Sequence, residues 1–398
     1  MNLAYTVAEQ EFRAWAREFL ATEIPAEIRE RYGRGGDVVP SDFRIVQRIL
    51  NSHGLATPSW PVEWGGKEWT SVQRHIWADT MQRMSIPEPL GFNVSMVGPV
   101  IAEFGNEEQK KRFLPATANL DIWWCQGFSE PEAGSDLASL RTTAVRDGDS
   151  YIVNGQKIWT TLAHHADWIF CLVRTDPSAV KKQAGISFLV MPMDTPGITV
   201  RRIDFVDGGH ECNEVFFEDV RVPAENLIGA ENNGWTMAKF LLGNERTSVT
   251  RAGHTAAQLA RTKQHAARTL GGNARPLLED PLFAARIAET ETELLALELT
   301  LLRVVASSAD GKPNPASSLL KLRGSELMQA VTEIEMDIAA LDSLVYGTPD
   351  PVDDGIASPA WARAAAPAFL NHRKVSIYSG SSEVQRTIIA SSILGLGA

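Results

Sequence analysis

The hydrophobic period of this chain changes twice, and that change limits the folds open to it. Residues 1 to about 120 carry helical spacing. Thr6-x-x-Glu9 forms a capping-box pattern, and Phe12, Trp15 and Phe19 follow at intervals of three and four. Ser41 is placed to cap a second helix bearing Phe43, Val46, Ile49 and Leu50, and Asn51-Ser52-His53-Gly54 breaks it. Helical patterns return over Val72–Met84 and Glu107–Leu114. Ahead of both, Pro58–Gly66 holds two prolines and two glycines, so an ordered loop pinned by Trp60 and Trp64 is expected.

From about 121 the pattern shortens to that of strands. Leu140–Arg146, Tyr151–Val153, Lys157–Thr161, Trp168–Val173, Ile186–Val190, Ile198–Ile203, Val215–Phe217 and Val220–Val222 are each bounded by Gly, Pro, Asp or Asn. Asn154-Gly155 reads as a hairpin turn. Helical spacing resumes at Trp235, with long segments over 235–270, 282–307 and 316–345 and shorter ones near 359–377 and 383–393. The expectation is an α+β multidomain chain. It would have an N-terminal helical domain (1–120), a central antiparallel β-barrel (121–232) and a C-terminal four-helix bundle (233–398).

Composition excludes several classes of function. Lys and Arg number 38 against 49 Asp and Glu, a net charge of −11, with no basic block to hold nucleic acid. No apolar run reaches the roughly 18–20 residues that span a bilayer, and the first residues lack the pattern of a secretory signal. Cys125, Cys171 and Cys212 are too far apart for a zinc motif or a disulfide framework, so buried thiols in a cytoplasmic protein are expected. His164 and His165 adjoin but would point to opposite faces of a strand, so no metal site is expected.

Two stretches carry chemistry. Phe128-Ser129-Glu130-Pro131-Glu132-Ala133-Gly134-Ser135-Asp136 offers hydroxyls and a glycine where backbone can approach a ligand closely. Read alone, it is equally a plain turn. Asn154-Gly155-Gln156-Lys157-Ile158-Trp159-Thr160-Thr161 puts an aromatic ring and two hydroxyls at a strand end, where core packing is the plainer reading.

Taken together and in order, these stretches resemble the acyl-CoA dehydrogenase family over nearly the whole chain. The likeness continues through Asn213-Glu214-Val215-Phe216-Phe217-Glu218-Asp219-Val220-Arg221-Val222-Pro223 and Gly243-Asn244-Glu245-Arg246. It ends in Ile377-Tyr378-Ser379-Gly380-Ser381-Ser382-Glu383-Val384-Gln385-Arg386. The resemblance implies an FAD-dependent oxidoreductase acting on an acyl-CoA thioester. A carboxylate would take the α-proton, the β-hydride would pass to flavin N5, and an electron-transferring flavoprotein would reoxidise the flavin. It assigns the flavin to Gln126, Phe128, Ser129, Gly134, Ser135, Trp159, Thr160, Thr161, Ser381 and Glu383. It assigns substrate contacts to Ser135, Asn244, Arg246, Ser379 and Gly380.

The chain departs from the family pattern in two places. Most members carry Ile-Tyr-Glu-Gly, but here Ser379 replaces the glutamate, and a serine hydroxyl is too weak a base. Some subfamilies move the base to a Glu-Arg pair on the first bundle helix, and Glu245-Arg246 is such a pair. Leu241, Leu242 and Val249 give Glu245 a partly apolar helix face, which suits a base of raised pKa. Arg246 points about 100° away, a candidate CoA or structural contact.

The second departure concerns the Arg-x-x-Phe-Gly segment and Gln-x-x-Gly-Gly-x-Gly loop that family subunits lend to their partner's FAD. Thr269–Pro276 and Ile338–Tyr346 carry neither, with Arg268 or Arg275 as a substitute for the first. This implies a homologous partner subunit in an α2β2 assembly, or otherwise a homo-oligomer. In this respect the chain resembles large subunits of bacterial two-subunit enzymes of the pimeloyl-CoA dehydrogenase type. The acyl group stays open among dicarboxylyl, branched and sterol side-chain thioesters, within fatty acid or sterol β-oxidation. The alternatives are a non-catalytic or partner-dependent subunit, or an oxygen-using flavoenzyme on the same scaffold.

Overall fold

The computed structural model describes residues 4–33, 39–245, 250–307, 314–345 and 358–396. The helices are α1 (Val7–Glu23), α2 (Ala26–Gly33), α3 (Pro40–Ser52), α4 (Ser71–Arg83), α5 (Gly98–Phe104) and α6 (Glu107–Ala118) before the strands. After them come α7 (Gly234–Glu245), α8 (Ala252–Arg268), α9 (Pro281–Ser307), α10 (Ser317–Ala339), α11 (Ala360–Arg363), α12 (Ala365–Asn371) and α13 (Ser382–Ser392). The strands are β1 (Trp124–Gly127), β2 (Thr143–Asp147), β3 (Ser150–Thr161), β4 (Trp168–Arg174), β5 (Ile186–Pro192), β6 (Ile198–Arg202), β7 (Cys212–Pro223) and β8 (Leu227–Ile228). Contacts divide the chain into two compact units. One comprises Met1–Val39, Trp69–Glu88 and Arg246–Ala398, and the other Pro40–Glu68 and Pro89–Glu245.

The second unit is built on an eight-stranded sheet in the order β6-β7-β3-β2-β4-β5-β8, with β1 also paired to β4. The sheet is not closed into the expected barrel. Its end strands β6 and β8 each pair with one neighbour, and β8 supplies only two residues. The sheet is not wholly antiparallel either, because β1 and β2 both run parallel to β4. Strands β4 and β5 read as unbroken apolar runs because both of their faces are buried. Phe170, Leu172, Phe188 and Val190 join one core with Trp60, Phe113, Trp124, Met237 and Leu241. Ile169, Cys171, Val173, Leu189 and Met191 join another with Tyr151, Val153, Val215 and Phe217.

Asn154-Gly155 is not a hairpin turn. The turn lies at Asp147–Ser150, and β3 runs through 154–155 as one twelve-residue strand with an irregularity in its register to β7. Gly155 adopts φ +147°, and a Cβ there would sit 2.6 Å from Thr142 Oγ1, so only glycine fits. The aromatic-pinned loop at 58–66 is present. Trp60 is buried and donates its indole N–H to the Val94 carbonyl at 2.7 Å.

In the first unit both halves of the Thr6–Glu9 capping box form at the start of α1. Phe12, Trp15 and Phe19 of α1 meet Trp69 and Trp77 in an aromatic stack. The helical stretch expected over 235–270 is two helices, α7 and α8. Helix α8 packs with α9 and α10 around Leu259, Leu294, Leu297, Leu301, Leu320, Leu327 and Val331, an apolar stripe recurring at helical spacing.

Candidate active site

The two motif stretches of the sheet unit are tied together by a buried ion pair. Lys157 projects from β3 and donates to Glu130 Oε1 at 2.7 Å, to the Leu172 carbonyl at 2.8 Å and to the Phe128 carbonyl at 3.2 Å. Both side chains are nearly sealed from water, at 0% and 7% exposure. The Glu130 carboxylate also accepts from the backbone N–H of Arg141 (2.6 Å) and Thr142 (2.9 Å). Burial alone would raise the Glu130 pKa, but Lys157 and these donors hold it below the usual carboxylate range. Burial pushes the Lys157 ammonium down, with Glu130 opposing. Ile158 N–H donates to the Ser129 carbonyl at 2.9 Å, so loop and strand are stitched through the backbone as well.

This frame positions the residues assigned to flavin. Phe128 is buried, Gln126 and Ser129 are half-buried, and Gly134 and Ser135 are exposed on the loop. A Cβ at Gly134 would meet nothing within 4 Å, which leaves its backbone open to a ligand. Trp159 is held at φ +60°, a left-handed conformation rare for a bulky residue, and its ring is 57% exposed. The Thr160 hydroxyl is buried with no hydrogen-bond partner among the described residues, while its carbonyl accepts from Asn213 Nδ2 at 3.1 Å. Thr161 Oγ1 lies 3.5 Å from Cys212 Sγ. A strained, exposed indole beside an orphaned hydroxyl and an open glycine backbone fits a planar polar ring such as a flavin.

Asn213 does more than hold Thr160. It also bonds His164 Nδ1 (3.1 Å) and His210 Nε2 (2.8 Å), and the His164 ring stacks on His210 at 3.9 Å. His164 and His165 stand on a 3-10 turn, not a strand, so their rings adjoin at 4.0 Å instead of facing apart. Burial, then the neighbouring His165 and His210, push the His164 pKa down to about 4. All three cysteines are buried free thiols.

The first unit carries the other assigned residues. Ser379 (φ +55°) and Gly380 (φ +87°) form a left-handed turn, and Gln385 Nε2 donates to both carbonyls at 3.3 and 3.1 Å. Ser381 caps α13, its hydroxyl accepting from Val384 N–H at 3.4 Å. Glu383 is exposed in the first turn of that helix, its carboxyl held below the usual range by its own backbone N–H and the Ser381 hydroxyl. Asn244 and Glu245 end α7, but their side chains, with all of Arg246, lie outside the described residues.

The two departed clasp stretches meet in space. Arg268, Thr269 and Ile338–Asp342 line one cavity of about 470 Å³ together with His265 and Trp361. The His265 ring stacks on Trp361 at 4.0 Å, and its Nδ1 lies 2.6 Å from Glu335 Oε1. Arg268 lines this cavity and Arg275 does not. Tyr346 lies outside the described residues.

Profiles of the acyl-CoA dehydrogenase N-terminal, middle and C-terminal domains match residues 6–121, 125–220 and 232–394. The acyl-CoA dehydrogenase IpdE1 of Mycobacterium tuberculosis is 35% identical over 395 residues, covering 97% of each chain. The chain belongs to the acyl-CoA dehydrogenase family. It is an oxidoreductase of acyl-CoA thioesters, in a family that is generally FAD-dependent. Among solved structures, the Tcur3481-Tcur3483 steroid ACAD matches with TM-score 0.85 at 30% identity over the whole of both chains. The ChsE4-ChsE5 complex from Mycobacterium tuberculosis matches with TM-score 0.84 at 31% identity, also over both whole chains. Among the described residues no helix is long and apolar enough to cross a membrane.

Sequence reasoning missed two features of this site. Glu130 and Lys157 stood inside the quoted motifs, yet their pairing has no signature in the spacing. The link from Asn213 to Thr160 and the histidines was equally hidden, although Asn213 opens a motif.

Proposed function

We propose that this chain catalyses FAD-dependent α,β-dehydrogenation of an acyl-CoA thioester with Glu245 as the base. The unpartnered Thr160 hydroxyl beside the strained Trp159 carries the reading, because it is a cradle of flavin type in a chain of this family. Bound FAD supplies the acceptor for the β-hydride. The Glu245 carboxylate takes the α-proton, so one C–H pair of electrons becomes the new double bond and the other leaves as hydride. The backbone N–H of Ser379 meets the thioester oxygen and stabilises the charge that develops as the proton leaves. Ser135, Asn244, Arg246 and Gly380 orient the thioester and its CoA. An electron-transferring flavoprotein reoxidises the enzyme in the cytoplasm. A homologous partner subunit completes an α2β2 assembly, a reading supported by structural relatives that are named as pairs of proteins and by the altered clasp stretches.

The test is Glu245→Gln. FAD and acyl-CoA binding should persist, while anaerobic flavin bleaching by substrate slows about 10²–10⁴-fold, the usual loss for a positioned acid–base group. Near-normal bleaching would remove Glu245 from its role.

A further inference from the structure

The stretch Trp159–Thr161, read above as a wall for flavin, lies against the start of β7. Lys157 pairs with Val215 and Thr160 pairs with Asn213, so β3 takes three steps where β7 takes two. The extra residue makes a β-bulge, and Trp159 within it takes up the slack at φ +60°. A left-handed backbone is costly at an aromatic residue and persists only where its surroundings impose it. Past the bulge the pairing resumes. Thr161 stands opposite Cys212, and Leu162 N–H donates to the Glu211 carbonyl at 2.7 Å.

Asn213 imposes that conformation from behind. Its side chain is fully buried. Nδ2 donates to the Thr160 carbonyl at 3.1 Å and to His164 Nδ1 at 3.1 Å, and Oδ1 accepts from His210 Nε2 at 2.8 Å. A carbonyl can only accept, so the amide nitrogen must face Thr160 and the amide oxygen must face His210. His210 therefore carries a proton on Nε2, and His164 accepts at Nδ1 with its own proton on Nε2. The two imidazoles stack at 3.9 Å with 22° between their planes, which fixes the amide between them. Burial, then His165 and His210, push the His164 pKa down to about 4, in keeping with a neutral acceptor.

A buried amide can do no more than satisfy its neighbours. Here two observations give it a further task. The carbonyl it holds belongs to Thr160, whose hydroxyl is buried with no partner among the described residues. The residue before Thr160 is the strained Trp159, whose ring is 57% exposed. Three hydrogen bonds thus fix the backbone at this point, while the one hydroxyl beside it stays unpaired. A buried polar group left unpaired costs stability, and a ligand that pairs it recovers the cost. Rigid support behind such a group is preorganisation for that ligand.

We propose that Asn213 is a positioning residue for the flavin. Its amide, locked between His164 and His210, holds the Thr160 carbonyl and so keeps the Trp159 bulge and the Thr160 hydroxyl in the arrangement that receives the ring. The inference rests on the flavin reading of this wall and adds the residue that sets its geometry. The chemistry explains the residue type. Aspartate has the same shape but no donor for the Thr160 carbonyl, and serine is too short to span Thr160 and both histidines.

The enzyme, with any subunit that co-purifies, is stripped of flavin and titrated calorimetrically with FAD. Three further readouts accompany the titration: unfolding of the flavin-free protein, visible circular dichroism at saturating FAD, and flavin bleaching by straight-chain, branched and sterol side-chain acyl-CoA thioesters. Asn213→Asp keeps the shape and the histidine contacts and loses the donor to Thr160. It should weaken FAD binding roughly 10–100-fold, the range for one buried group left unsatisfied, and alter the flavin dichroism at saturation. The melting temperature of the flavin-free protein should stay close to wild type, because relaxation of the bulge offsets the lost bond. His210→Ala removes one brace only and should weaken FAD binding by less than about 10-fold. Wild-type FAD affinity in Asn213→Asp overturns the proposal. So does a weakened affinity that comes with a less stable flavin-free protein and wild-type dichroism at saturation, since that is a structural role alone. The expected losses in a protein that no thioester bleaches keep the proposal and sink the dehydrogenase reading. Bleaching with unchanged FAD affinity in Asn213→Asp does the reverse, and a wild type that binds no FAD sinks both.

Discussion

On the proposed reading, the loop at 129–136 holds FAD from within this chain, and the stretches at 268–275 and 338–345 stand where family subunits would reach a partner's FAD. They have been treated differently. The loop is anchored by a sealed Lys157–Glu130 pair whose carboxylate takes two further backbone donors. Residues of the clasp stretches line a cavity in which His265 stacks on Trp361; Leu341 of its lining is 80% exposed, and Leu270 and Leu344 of the same stretches are 62% and 74% exposed. A site that must hold its own cofactor is fastened from inside. A surface meant for another chain keeps apolar side chains in solvent until that chain arrives. The contrast supports a chain that receives the flavin in its sheet unit and relies on a partner for the outer grip.

The largest effect that would sharpen this contrast comes from Lys157→Ala. Removing one partner strands a buried carboxylate, which costs about 3–5 kcal/mol. The loop carrying Ser129, Gly134 and Ser135 should loosen with it. Denaturant unfolding should show the loss, and FAD retention through gel filtration should fall. Arg268→Ala should leave unfolding within about 0.5 kcal/mol, as for ordinary surface changes. Similar losses in both variants would erase the distinction.

A smaller effect concerns the partner. The chain purified alone should hold FAD below one per chain. Co-expression with its homologous partner should bring occupancy to one per pair. Absorbance at the flavin band against protein concentration reads this directly. Stoichiometric FAD and full activity in the isolated chain would end the case for a lent clasp.

Much of this was legible in the residues. The motif order identified the family, the capping box at Thr6 started a helix where expected, and the Trp60 loop was pinned as its composition required. Closure of the sheet was not legible, because it depends on which edge strands find partners, and β8 is a two-residue strand with no sequence signal. Asn154-Gly155 misled because the freedom that makes glycine a turn residue also lets a strand pass close to Thr142. The helix at 98–104 went unseen because Gly91, Gly98 and Pro99 look like breakers, whereas a π-helical turn over Phe92–Val97 feeds directly into it. At the candidate site the residue types were readable and their connections were not. Burial joins Glu130 to Lys157 and Asn213 to Thr160, and burial is a property of the whole fold.

The smallest effect is a pH slope in the sheet unit. His164 is flanked by His165, His210, Arg202 and Asn213, and its folded pKa of about 4 lies below the ordinary 6.5. Between these values the unfolded chain binds a proton that the folded chain refuses, so stability falls as pH drops from about 6.5 toward 4. The ring is exposed, so solvent screening keeps this contribution small. Glu130 acts in a lower window. Its depressed pKa stabilises the fold above the ordinary 4.5, and that share is lost only as pH falls through its folded value. Melting temperature followed from pH 7 to 4 should therefore decline before Glu130 begins to titrate. His164→Asn should flatten the upper part of that decline and leave the lower part unchanged. An unaltered slope in the variant would move the effect to the first unit, where His254 and His372 are also held below their ordinary range.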